Sequence, residues 1–585
     1  MPKALGRPTS YHFHRLEWFG GLGLSSRFER FPFTVCNRLS PKVSVPYTSS
    51  NPRPPRPSDV GRSLWGGAPL PPIPERVLDG IPGFIAWIAL LVSIASAVAF
   101  PLTLTLTAAL VATYTAFRFF LAGIANAMGI RRIKEWEATD WYRKYLHDRG
   151  PDSLDWNSVQ HLVIVPIYNE SMKILIRTLD QLSLQENAHS QISVLLAMEA
   201  AEPDSYQKAQ SLNRQFADQF ANIYFTVHPR GLIGEMQCKS ANLAWAINRF
   251  FENVVDEEGL NIDNYVLTTM DADTRWHEKH FAALTYHFAI NENRHRTFWQ
   301  APIRYHGNIW QVNPLMRIIN TYATAFELAY LAAPWWMAMP MSSYSLSLKL
   351  LEQSGNWDTD VIADEWHMLI KAYFATGGQV KIEHIYLPFL ADSTTGSNIF
   401  KSIKNRYSQT LRHAWGSKEV GYMLAKLIEN PQVVSVNSFK LLLRIAHDIL
   451  LAGAGWIILT VGSQLPVFFH PKIAPIKVDG LLAAGDKVTY LVDGFAASHP
   501  AWVLLAVSGL VMLALVIVFQ VQDYRIRPPR VSPYTFGESL LELLSIPFML
   551  LLTLFVVALP TLVAQTRLLL GIPLQFIVTE KSIEK

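Results

Sequence analysis

The sequence predicts a doubly wound α/β domain set between membrane-spanning helices. Charge-free apolar runs long enough to cross a bilayer flank a polar middle. That middle alternates short apolar, strand-like runs with segments of helical spacing. Polar clusters follow each strand-like run, at the carboxyl ends where sheets of this class bind ligands.

The elements follow in chain order. Residues 1–78 are rich in Pro, Ser and Arg, and "NPRPPRPSD" and "APLPPIPER" are expected to be disordered or extended in a polyproline-like way. Residues 80–117 contain no charge and have Pro101 in the middle, which predicts a transmembrane hairpin over 79–128. That run lies too far from Met1, and is too long, to be a cleaved leader. Three further charge-free stretches, 449–469, 501–521 and 543–566, predict a membrane region over 439–585 with about three segments. Pro547 and Pro560 leave the last one open to being straight, bent or re-entrant. Arg131, Arg132, Lys134, Lys440, Arg444 and "DYRIRPPR" flank these runs. Basic flanks favour the cytoplasmic side, so the polar middle, 129–438, is expected there.

Within the middle, "HLVIVPIY", "QISVLLAM", "NIYFTV" and "YVLTTM" are continuous apolar runs of the kind buried on both faces of a parallel sheet. Segments 170–185, 204–220 and 240–255 between them have helical spacing, giving a βαβαβα order. "PIYNES", "MEAAEPD", "HPRG" and "DAD" follow the four strands. In "DAD", strand alternation would aim Asp271 and Asp273 at one point, where a cation would relieve their repulsion. Two carboxylates can hold Mg²⁺ or Mn²⁺ against a diphosphate. No glycine-rich phosphate loop follows the first strand. Lys239, opening a helix after the third strand, is a candidate phosphate contact. A net charge of +4 gives no case for nucleic acid, and two cysteines make neither a disulfide framework nor a metal site. "APWWMAMPM" fits either an aromatic belt at the membrane interface or a sugar-stacking surface.

Five motifs, "VPIYNES", "CKSANLAWAI", "MDAD", "ADEWHM" and "QTLRHAWG", stand in the order and rough spacing of the membrane-embedded family 2 glycosyltransferases. The chain resembles that family, which includes cellulose, hyaluronan and chitin synthases, over about residues 160–420 and the flanking spans. Within it, the chain looks closest to an uncharacterised bacterial subgroup. The resemblance implies a Rossmann-like GT-A domain inserted between transmembrane helices. It further implies inverting transfer from a nucleotide-diphospho-sugar to a carbohydrate or lipid acceptor. Pro166, Tyr168 and Glu170 would line the nucleoside pocket, with Glu199 where the family commonly has an aspartate. Asp271 and Asp273 would hold diphosphate and metal. Glu365 falls on the family's catalytic-base position, although the family order Glu-Asp is here Asp364-Glu365, so Asp364 is the alternative base. Gln409 and Arg412 keep the diphosphate roles of the family's Q-x-x-R-W. His413 replaces its Trp, and Trp415 stands two residues on, which makes those two the acceptor candidates and puts processive synthesis in doubt.

The expected function is thus a bacterial inner-membrane transferase building a polysaccharide or glycolipid, with its catalytic domain in the cytoplasm. Two alternatives are single-step transfer to a lipid-linked phosphate and a catalytically inactive, nucleotide-sensing membrane subunit.

Overall fold

The computed structural model describes residues 34–35, 74–530 and 532–572. The disorder expected over 1–78 therefore falls largely outside the described residues. The first helix begins at Glu75, within the stretch assigned to disorder.

Among the described residues ten strands are formed: β1 (Thr34–Val35), β2 (Gln160–Ile167), β3 (Ile192–Glu199), β4 (Asn222–His228), β5 (Tyr265–Thr269), β6 (Thr297–Gln300), β7 (Ile303–Arg304), β8 (Tyr344–Ser347), β9 (Lys381–His384) and β10 (Phe389–Leu390). Eight make one sheet in the order β1-β4-β3-β2-β5-β8-β6-β9, and β10 pairs with β7. β2 to β5 form its parallel core, as their apolar runs predict. β8 is antiparallel to both β5 and β6. Alternate side chains feed two cores, one on each face. Val163, Val165, Val194 and Leu196 join the Met172–Ser183 and Ser205–Phe216 helices. Leu162, Ile164, Leu195 and Ala197 join the Lys239–Phe250 and Asp364–Ala375 helices. Burial on both faces is why these strands read as unbroken apolar runs.

Five helices among the described residues are long and apolar enough to cross a membrane: Glu75–Ala99, Pro101–Glu137, Val436–Phe469, Pro500–Ile526 and Phe536–Leu570. Each extends beyond its charge-free run. The last continues as a helix through Pro547, with a π-turn at Leu554–Ala558, so it does not form a re-entrant loop. Its 35 residues correspond to about 52 Å, more than a bilayer core requires. Ala109, Ala112, Ala116 and Ala125 are buried along the second span, and such small residues let helices approach closely. There Asn126 Nδ2 donates to Gln522 Oε1 of the fourth span at 2.6 Å. The Pro314–Ala332 helix lies between β7 and β8 in sequence, yet packs against the second, fourth and fifth spans. It fastens the sheet domain to these long apolar helices.

Two histidines in the sheet core set an acid limit on the fold. His161 bonds Thr285 Oγ1 at 2.8 Å, and His280 stacks on Trp276 with ring centroids 4.0 Å apart. Burial lowers both pKa values to about 3, below the ordinary value near 6.5 of the unfolded chain. The unfolded state therefore takes up protons first, and stability falls as pH drops below about 6.5. Each buried ring costs on the order of 2 kcal/mol at pH 5. His161→Gln and His280→Gln should flatten the loss of thermal stability between pH 7 and pH 5, read by unfolding in detergent.

Candidate functional site

The ends of β2 to β5 gather the predicted residues, and Asp271 and Asp273 differ in access. β5 ends at Thr269, and the chain turns as Thr274 N–H donates back to Asp271 O at 2.9 Å. Beyond that point residues i and i+2 no longer share a side. Asp271 faces the cleft, with its side chain 39% exposed. Asp273 is buried, and its Oδ2 accepts Asp392 N–H at 3.0 Å. Asp392 in turn binds Arg177 at 2.7 Å and lies 3.7 Å from Arg275. Asp273 thus supports the loop that carries Asp271.

Gly307 closes this support. A Cβ there would lie 2.1 Å from Asp392 Oδ1 and 2.8 Å from Ala391 O, and the backbone atom cannot rotate away. Gly307→Ala should cost roughly 1–3 kcal/mol, read as a lowered Tm, because overpacking forces a backbone shift.

Lys239 opens the Lys239–Phe250 helix and points into the cleft. Its Nζ is 3.1 Å from Asp271, 3.8 Å from Asp364 and 3.9 Å from Glu365, and it donates to Ser342 O at 3.2 Å. It is one cation shared by three carboxylates rather than a solvated lysine. Burial alone would lower its pKa, but Asp271, Asp364 and Glu365 together raise it. Ser342 Oγ donates to the other oxygen of Asp271 at 2.8 Å.

Asp364 and Glu365 form the first turn of the Asp364–Ala375 helix, an end that favours anions. They differ in access: the Asp364 side chain is 2% exposed and that of Glu365 is 23% exposed. Asp364 Oδ2 is buried without a hydrogen bond. Burial raises both pKa values, and the negative charge of Asp364 raises that of Glu365 further. Only Glu365 is substantially open to the cleft.

Arg412 comes from the Ile399–His413 helix. Burial depresses its pKa, opposed by the negative field of Asp271, Glu365 and Asp364. His413, the last residue of that helix, is exposed, and the surrounding protein together with the positive charges of Arg412 and Arg406 lowers its pKa. Gln409 Oε1 accepts from Arg406 at 3.0 Å. Trp415 is placed differently from the acceptor platform expected of it. It is buried against Ala564 and Leu568 of the last span, so its ring is occupied by packing. In "APWWMAMPM", the Trp336 ring lies 4.9 Å from the guanidinium of Arg118 and 4.8 Å from that of Arg444.

The nucleoside-side residues form a second group. Pro166 pairs with Ala197 between β2 and β3. Tyr168 N–H donates to Glu170 Oε2 at 2.6 Å. Asn169 takes φ 65°, a left-handed conformation that Asn tolerates, and its N–H donates to Glu202 at 3.2 Å. Lys208 ties Glu202 to the carbonyl of Glu170. Glu199 accepts from His228 at 3.2 Å, and the other nitrogen of His228 meets Glu235 at 2.9 Å. Burial would depress that imidazole, but hydrogen bonds to the two carboxylates raise its pKa to about 9. Glu202 and His228 fall in "MEAAEPD" and "HPRG", legible in the sequence only as polar clusters, while Glu235 and Asp392 carry no local signal at all.

For a divalent cation the donor chemistry fits, since carboxylate oxygens suit Mg²⁺ and Mn²⁺. Among the described residues, however, no group of three or more His, Cys, Asp or Glu side chains could hold a metal. The residues fit a metal that arrives with further oxygens from a diphosphate.

No protein-family model and no curated protein matches the chain. Among solved structures it is similar to the mannosyltransferase PcManGT from Pyrobaculum calidifontis in complex with GDP-Man and Mn²⁺. That match has 16% identity and a TM-score of 0.36, covering 71% of this chain and 99% of that one. It is also similar to S. aureus TarS 1-349 in complex with UDP-GlcNAc, at 11% identity and TM-score 0.28, covering 64% and 93%. Overlaps this partial leave the chemistry to be read from the residues of the cleft.

Proposed function

We propose that the protein is a membrane-embedded glycosyltransferase of the family 2 type, with an inverting mechanism and a nucleotide-diphospho-sugar donor. The observation that carries this reading is the meeting of Lys239 and Arg412 with Asp271, Asp364 and Glu365 in one cleft beyond the carboxyl ends of parallel strands. Glu365 takes the proton from the acceptor hydroxyl as its oxygen attacks the anomeric carbon. The bond to the diphosphate breaks on the opposite face, and the electron pair leaves with the diphosphate. Lys239 and Arg412 receive the negative charge that develops there. Asp271, supported through Asp273, would hold Mg²⁺ or Mn²⁺, which when bound neutralises diphosphate oxygens. Pro166, Tyr168, Glu170 and Glu199 form the nucleoside side, and Gln409 and Arg412 serve the diphosphate. His413 is the acceptor-side candidate, a ring whose two nitrogens can hydrogen-bond a sugar hydroxyl. The sheet domain is assigned to the cytoplasmic side of a bacterial inner membrane on the basic flanks of the spans. The acceptor is a carbohydrate or glycolipid.

Binding tests this separately from turnover. Calorimetry of the detergent-solubilised protein with UDP and GDP, in Mn²⁺, Mg²⁺ or EDTA, should show binding of at least one nucleotide that metal strengthens. Asp271→Asn should abolish the metal effect. Absence of binding to both nucleotides in every condition would contradict the reading.

A further inference from the structure

Two residues beyond Glu365, on the same helix, His367 is buried with a carboxylate at each ring nitrogen. Nδ1 is 3.0 Å from Glu419 Oε2, and Nε2 is 2.9 Å from Asp358 Oδ2. A neutral imidazole has one N–H, so two acceptor-only partners call for the doubly protonated ring. The same two carboxylates raise its pKa to about 9 against the depressing effect of burial. Tyr422 covers the ring with centroids 4.1 Å apart, and Lys371 holds the other oxygen of Asp358 at 2.5 Å.

The two carboxylates belong to different parts of the molecule. Asp358 sits in the loop that also fixes the start of the Lys239 helix, where Met236 N–H donates to Thr359 O at 2.9 Å and Ser240 Oγ donates to Val361 O. Glu419 is in the first turn of the Lys418–Glu429 helix. Its neighbour Lys418 pairs with Glu75 at 3.0 Å and Asp79 at 3.3 Å, both on the first span. Gly421 lies so close to that span that a Cβ would be 2.5 Å from Leu78 O. His367 therefore joins the helix of Glu365, the loop that seats Lys239, and a helix packed on the first long apolar helix.

We propose that His367 is a positioning residue for sugar transfer: its imidazolium sets the separation of Glu365 from Lys239 and references both to the first membrane span. This rests on the transferase reading above. It assigns no contact with donor or acceptor to His367, so its loss acts on the chemical step and not on donor binding. A misplacement of about 1 Å at a reacting group can cost roughly a hundredfold in rate.

The test uses full-length protein in detergent with whichever of UDP-glucose, UDP-N-acetylglucosamine and GDP-mannose the wild type cleaves. His367→Gln keeps one neutral donor and should lower kcat by at least about tenfold, leaving donor KM and nucleoside diphosphate Kd within about twofold. Because His367→Gln leaves Glu419 buried and unpaired, the double variant His367→Gln/Glu419→Gln is measured beside it. The second change should recover Tm without recovering kcat. A His367→Gln enzyme with wild-type kcat overturns the role, as does a double variant whose rate returns with its stability. A wild type that cleaves none of the donors overturns the transferase reading, and with it this role. An active wild type with an unaffected His367→Gln removes the role alone.

Discussion

Glu365→Gln should abolish transfer, lowering kcat by roughly 10²–10⁴-fold while nucleotide binding persists. The amide keeps the size of the side chain and removes its ability to take a proton. The proposed mechanism takes Glu365 as the base on access: its side chain is 23% exposed where that of Asp364 is 2% exposed. Asp364→Asn should accordingly leave much more activity than Glu365→Gln. A variant order reversed from this would make Asp364 the base. Because burial and the charge of Asp364 raise the pKa of Glu365, wild-type activity should be lost as pH falls through that raised value. The base works only when ionised, so the sign is fixed: alkaline shift relative to an ordinary carboxylate, with the acidic limb of kcat removed in Glu365→Gln. If transfer were to a lipid-linked phosphate, already ionised at neutral pH, Glu365→Gln would change the rate little.

Lys239→Met should be the most damaging single change to the fold near the site. It leaves three carboxylates within one cleft facing each other without the cation they share. Removing one partner of a buried ion pair costs roughly 3–5 kcal/mol, and the remaining field of Arg412 places this case near the lower end. The deficit has a characteristic pH dependence. The folded-state pKa of Lys239 lies above its unfolded value, so the wild-type contribution is complete below about 10.5 and is lost only above it. In the variant the carboxylates relieve their repulsion by taking up protons. The Tm difference between wild type and Lys239→Met should therefore shrink from pH 8 to pH 5.5. A constant difference would mean that Lys239 acts through packing and not through charge.

The parallel core was legible because β2 to β5 are buried on both faces and carry uninterrupted apolar runs. β8 was not, since "YSLS" alternates with serines that are satisfied inside the sheet, as where Thr268 and Ser345 hydroxyls meet at 2.8 Å. Spans were legible from missing charge, but their ends were not: the helices run on through Arg131 and Asp523 because helical hydrogen bonding does not stop at the apolar boundary. The Pro314–Ala332 helix carries polar residues and gave no membrane signal, yet it packs among the spans. At the site, residue types on strand ends could be picked out one by one, but their pairings could not. Asp273 finds its partner 119 residues away, and His367 finds Glu419 52 residues away. Local patterns carry propensity and burial, whereas such juxtapositions exist only once the sheet has assembled.

The most direct measurement is release of nucleoside diphosphate by the purified wild type from a panel of nucleotide-diphospho-sugars. It is run in Mn²⁺, in Mg²⁺ and in EDTA, beside Asp271→Asn and Glu365→Gln. Metal-dependent release from one donor, lost in both variants, is the predicted result. Metal-strengthened nucleotide binding with no release from any donor would contradict the account and leave a nucleotide-sensing membrane protein in its place.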